Sequence, residues 1–84
     1  MSDHIDRKRL VRKYMKDAND IHTAAERCAL RERDKQILIM VLCKHQDLGF
    51  IADTLGYSYG YTKRRFSAAL DVFVDVAQKL NFIP

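Results

Sequence analysis

Lys63, Arg64 and Arg65 lie within a stretch, residues 58–70, that carries three basic side chains and no acid. An acid-free cluster of this kind suits a polyanion, because neutralising phosphates releases the counterions held around them. Just ahead of it Tyr57, Tyr59 and Tyr61 alternate along the chain. Tyr57 suits the apolar position of a turn. For Tyr59 and Tyr61 two readings stand, contact with phosphates or thymine methyls and packing at the start of a helix. A second basic group, Arg7, Lys8, Arg9, Arg12, Lys13 and Lys16, belongs to residues 1–35, where ten basic and seven acidic side chains leave +3. Residues 58–70 hold another +3, while residues 36–57 and 71–84 come to −1 each, which makes up the net +4.

Other chemistry is poorly provided for. No Ser/His/Asp, Cys/His or paired-carboxylate arrangement stands out, and there is no phosphate loop, so neither an enzyme nor a cofactor is expected. Cys28 and Cys43 belong to no CxxC pair and read as reduced, mostly buried thiols. Cys43 and His45 are two residues apart, the wrong spacing for zinc ligands on one helix face, so no metal is expected. His4, His22 and His45 are scattered. The longest apolar run, residues 37–43, is far short of a membrane span. The first residues, MSDHIDRKR, have no apolar core behind their charges, so a secretory signal is not expected and a cytoplasmic protein is.

The elements that must position the basic cluster follow from spacing. The 84 residues suit one domain, 1–84, and 48% of them are apolar at helical intervals. Three glycines and one proline are too few for the turns of a sandwich or barrel. The fold class is therefore all-α, a domain of four to five helices containing a helix-turn-helix. A basic N-terminal helix is predicted over 5–18, from Ile5, Leu10, Val11, Tyr14, Met15 and Ala18. Asn19-Asp20 makes a weak break before a helix over 20–30, and one long bent helix over 5–30 is the alternative. A third helix, over 31–45, is apolar nearly all round at residues 37–43 and should lie centrally. Asp47 reads as the N-cap of a short helix over 48–55. Gly56 then ends that helix in a left-handed turn, and Ser58 caps a last helix over 59–80. Its far stripe, Phe73, Val76, Ala77 and Leu80 with Val72 and Val74 beside it, is too apolar for a free surface. Packing on Leu10 and Tyr14 is one account, and a homodimer seam through the C-terminal helix is the other.

Two helices joined by a short turn containing glycine form the helix-turn-helix, here over residues 47–70. Small Ala52 lets the helices cross closely, and Gly56 lets the chain reverse. The string IADTLGYSYGYTKRRFSAAL, residues 51–70, resembles the helix-turn-helix of bacterial sigma factor region 4 and its relatives. That pattern has Ile-Ala, two variable residues, Leu-Gly, an apolar residue, Ser, a Gly two later, Lys three beyond it, and Ala-Leu. Ile51-Ala52, Leu55-Gly56, Tyr57, Ser58, Gly60, Lys63 and Ala69-Leu70 take those places. Upstream, Leu30-Arg31-Glu32-Arg33-Asp34 and Ile37-Leu38 resemble the family's L-x-x-R-x-x-x-x-L helix, so the likeness spans residues 21–70. The chain departs from the pattern at Phe50, where an acid is usual, and at Thr62, where an apolar residue is. The basic N-terminal segment and the extension to Leu80 have no clear counterpart.

The resemblance implies that Lys63 and Arg64 touch base edges or phosphates in the major groove, arginine to guanine being the commonest specific pairing. For Arg65, turned toward the helix flank, a phosphate contact and a local ion pair are both open. The expected DNA-binding set is Ser58, Tyr59, Tyr61, Lys63, Arg64, Arg65 and Ser67. The basic face from Arg7 to Lys16 reads as a solvated face or as a flank that meets phosphate. Sigma region 2 has no room here, so the resemblance implies a stand-alone region-4-like regulator or half of a split sigma factor. Sequence-specific binding of double-stranded DNA in transcription control, in bacteria or phages, is the expected function. The alternative is a protein-interaction module of the same fold that binds RNA polymerase or a partner regulator.

Overall fold

Three side-chain caps and one uncapped start divide the chain into five helices in the computed structural model, which describes the backbone of residues 3–84 and the side chains of residues 7–84. They are α1 (Asp3–Tyr14), α2 (Ala18–Arg27), α3 (Glu32–Leu42), α4 (Leu48–Leu55) and α5 (Tyr59–Lys79). The fold is all-α, and no strand occurs among the described residues. Ile5 and His4 belong to α1, but their side chains lie outside the described residues.

The first break falls earlier than Asn19-Asp20. Asp17 is the cap, its carboxylate accepting from the Asn19 N–H at 2.9 Å, so α1 stops at Tyr14 and α2 begins at Ala18. Asp17 wins because its short carboxylate satisfies one of the amides that a helix start leaves free. Ala18 accordingly opens α2 instead of closing α1. Of the stripe on α1, Val11 and Met15 (just beyond the helix) are buried, whereas Tyr14 is 43% exposed. The α2 stripe of Ile21, Ala24, Ala25 and Cys28 is buried, with Cys28 donating its thiol to the Ala24 carbonyl at 3.2 Å. The third helix is shorter than the 31–45 expected and has no side-chain cap at Arg31.

The sequence pattern places α3 centrally, and Ile37, Leu38, Val41 and Leu42 are indeed buried. The true hub is α5, which packs against α1, α2, α3 and α4, whereas the main contacts of α3 are with α2, α4 and α5. Length explains this, since 21 residues reach about 31 Å and can cross every shorter element. Phe66, Leu70 and Phe73 of α5 are at most 1% exposed. Burying each such side chain contributes about 1.5–3 kcal/mol.

The apolar far end of α5 is covered within the chain. Phe73, Val74 and Ala77 are buried, and of the larger apolar side chains there only Val72 is well exposed. Part of that cover is the tail beyond α5, which carries no helical pattern. Asn81 turns left-handed (φ 66), the Phe82 N–H donates to the Ala77 carbonyl at 2.9 Å, and Ile83 is swung inward to 1% exposure. An Asn at this position ends a helix in the manner usual for Gly. The stripe is thus largely covered within the chain, by α1 and the tail, although Tyr14 itself points outward.

Candidate nucleic-acid interface

The turn between α4 and α5 is built by three local devices. The Asp47 carboxylate accepts from the Phe50 N–H at 2.9 Å and starts α4. Gly56 ends it with φ 78, a backbone conformation in which any Cβ is strained. Ser58 starts α5 by accepting from the Tyr61 N–H at 3.1 Å. These fix α4 and α5 on either side of a three-residue turn, the helix-turn-helix expected over residues 47–70.

Within α5 the buried and exposed stripes separate cleanly. Thr62, Phe66, Ala69 and Leu70 are buried, and they turn the opposite face of the first turns outward. Thr62, at 0% exposure, fills an apolar position by donating its hydroxyl to the Ser58 carbonyl at 2.9 Å and leaving only its methyl to pack. On the outer face Tyr59 is 55% exposed, and Lys63 and Arg64 are exposed, with Ser67 half-buried one turn further. Among the described residues neither Lys63 nor Arg64 lies within ion-pair distance of a carboxylate. The spacing of Tyr59, Lys63 and Ser67 at four-residue intervals places them in one row. Gly60 and Arg64 form the adjacent row, so close that a Cβ on Gly60 would sit 3.6 Å from an Arg64 Nη.

Arg65 has a different fate. Its guanidinium grips the Asp34 carboxylate of α3 with two parallel bonds, Nε to Oδ1 at 3.1 Å and Nη2 to Oδ2 at 2.6 Å. Asp34 is buried, and the Arg65 hydrogen bonds hold its carboxyl below the ordinary carboxylate range, against the opposing effect of burial. Of the two uses open to Arg65, the ion pair is the one made. The pair locks the flank of α5 to α3 and thereby sets the angle at which Lys63 and Arg64 are offered.

The tyrosines divide as well. Tyr57 does not fill an apolar pocket, because it is 37% exposed and lies instead against Tyr61, ring centroids 5.1 Å apart and tilted by 56°. Tyr61 is half-buried, with the Arg33 guanidinium 5.4 Å above its ring centre. It therefore takes the packing reading, and only Tyr59 projects freely. Arg33 and Asp34, adjacent at the start of α3, border the surface without having been expected there. Their signal in the sequence was faint: two charges in a helix start look like ordinary solvated residues.

The basic face of α1 is partly engaged. Arg7 pairs with Asp71 of α5 at 2.8 Å, Arg12 donates to His45 Nδ1 at 2.8 Å, and the Lys13 ammonium sits 5.2 Å from the Tyr14 ring centre. Burial pushes the Cys28 and Cys43 thiols up. No group of three His, Cys, Asp or Glu side chains able to hold a metal occurs among the described residues. No helix among them is long and apolar enough to cross a membrane. Compared with protein-family models, with curated proteins and with solved structures, the chain finds no match.

Proposed function

We propose that this chain is a non-catalytic, sequence-specific binder of double-stranded DNA that acts in transcription control, with the first turns of α5 in the major groove. One observation carries the reading: the outer face of a firmly anchored helix start offers Tyr59, Lys63 and Arg64 with no carboxylate partner among the described residues. A helix N-terminus adds its own partial positive charge, and side chains in its first turns are those that reach base edges. The likeness of residues 51–70 to the sigma region 4 helix-turn-helix supports the same assignment. In it Lys63 and Arg64 contact bases or phosphates, Tyr59 and Ser67 flank them, and Arg65 is the brace that orients the helix.

Selection of binding sites from random duplexes, read by gel shift at two salt concentrations, tests the proposal. With roughly four to eight phosphates contacted, log affinity falls against log salt with a slope of about −4 to −7. Absence of duplex binding at ~50 mM salt would remove the proposal. A second reading then takes over, a module that binds RNA polymerase or another regulator. It is favoured by Phe50, 52% exposed on α4 at the edge of a shallow groove whose floor includes Ile39 and Met40.

A further inference from the structure

A cleft of about 290 Å³ opens where α1, the start of α2 and the end of α3 meet, away from the outer face of α5. Its walls divide by chemistry. Val11, Met15, Ile21 and Leu42 supply an apolar lining, all four belonging to the buried core. Arg12, Lys16 and His45 supply the polar rim, and among the described residues no acidic side chain lines the cleft. Among the described residues neither Arg12 nor Lys16 has a carboxylate within ion-pair distance.

The rim is also organised. Arg12 donates one bond, at 2.8 Å, to His45 Nδ1. A guanidinium has five N–H donors, so the rest remain for another acceptor. His45 holds its ring there from the left-handed position (φ 54) at which the chain turns off α3, a turn closed by the Gln46 N–H donating to the Met40 carbonyl at 3.1 Å. The Arg12 fork is thus oriented by an imidazole rather than paired with a carboxylate.

We propose that this cleft binds a small monocarboxylate with an apolar body, its carboxylate on Arg12 and Lys16 and its body against Met15, Ile21 and Leu42. The planar fork of arginine matches a carboxylate bidentately, and the apolar lining rewards a short hydrocarbon. The volume lies at the small end for a ligand site, which limits the body to a short chain or a single ring. Cys43 lines the cleft beside the proposed site and, half-buried, serves as a reporter.

The test uses the whole chain, labelled with ¹⁵N, and octanoate as the probe, with octanol as its uncharged counterpart and no DNA present. Octanoate shifts the amide signals of residues 11–16 and 42–45 with a Kd of about 1 mM, and octanol binds about tenfold more weakly or worse. Saturating octanoate also slows alkylation of Cys43 by iodoacetamide. Arg12→Gln weakens octanoate about tenfold while leaving octanol unchanged, since a hydrogen bond to a charged group is lost. Arg12 is exposed, so the variant keeps its fold, and Lys16→Gln provides a second weakening of the same sign. Equal binding of octanol, shifts scattered over the surface, or an unchanged Kd in both variants would overturn the site. The DNA assay stands apart from all of these outcomes.

Discussion

In its first turns α5 offers Tyr59, Lys63 and Arg64 to solvent, whereas its far half buries Phe73, Val74 and Ala77 under α1 and the returning tail. The same continuous helix thus has a free end and an anchored end. An isolated helix start is marginal in water, because nucleation is unfavourable and little packing supports it. The anchored half, the Asp34–Arg65 brace and the Ser58 cap together supply what the free end lacks. Exposed side chains thus need no support from one another when the helix beneath them is held elsewhere. Adjacent Arg64 and Arg65 repeat the lesson at the scale of one residue: one is free to bind, the other is used to position.

The largest effect should come from the anchored end. Phe73→Ala removes a ring at 0% exposure and should cost about 3–5 kcal/mol by urea denaturation. In so small a domain that is a large part of the total, so DNA binding should fall with folding. A loss below about 1 kcal/mol would mean the far half of α5 is not an anchor.

The brace comes next, and its signature is acid. The folded pKa of Asp34 is depressed by Arg65, so the pair contributes stability above the unfolded value of 3.8 and loses it as pH falls through the lower folded value. Thermal melts of the parent chain should therefore decline between about pH 5 and pH 1 more steeply than those of Asp34→Asn. Equal slopes would show that the carboxylate is not held by Arg65 in solution. Arg65→Ala should lower the melting temperature at neutral pH because it leaves a buried carboxylate with only the longer Arg33 contact at 3.4 Å, whereas Arg64→Ala should leave it nearly unchanged.

Function should separate the same two neighbours from the basic face of α1. Arg64→Ala should cost about 1–3 kcal/mol on the preferred duplex and much less on random DNA. Arg12→Ala should change both about equally, so only Arg64 alters the ratio of specific to non-specific affinity. An unchanged ratio in Arg64→Ala, with folding intact by circular dichroism, would mean that Arg64 reads no base. The smallest effect belongs to Gly60. A Cβ there meets only the flexible Arg64 guanidinium, so Gly60→Ala should stabilise the fold by roughly 0.5–1 kcal/mol in melts. A loss of stability would show that Gly60 is needed by the fold itself.

Local signals were legible in the sequence because their physics is local. Asp47, Gly56 and Ser58 set helix ends within a few residues of themselves, and each does so where the pattern places it. The α5 stripe of Phe66, Ala69, Leu70, Phe73 and Ala77 was equally readable, since one face of a helix repeats every three to four residues. Asp17 was hidden among competing capping residues at 17, 19 and 20, any of which can accept the free amides. Asp34 and Ile83 were not legible at all. An acid in a helix start and an isoleucine in a tail look solvated until distant partners arrive, Arg65 31 residues away for the one and the underside of α5 for the other. The sequence by itself therefore determined which helices form, where most of them end and which face of α5 is basic. The tertiary structure decided which arginine is free, how the far stripe is covered and where a cleft opens. Caps and periodicity act over one or two turns, whereas pairing a buried charge and closing a core depend on chain segments that only folding brings together.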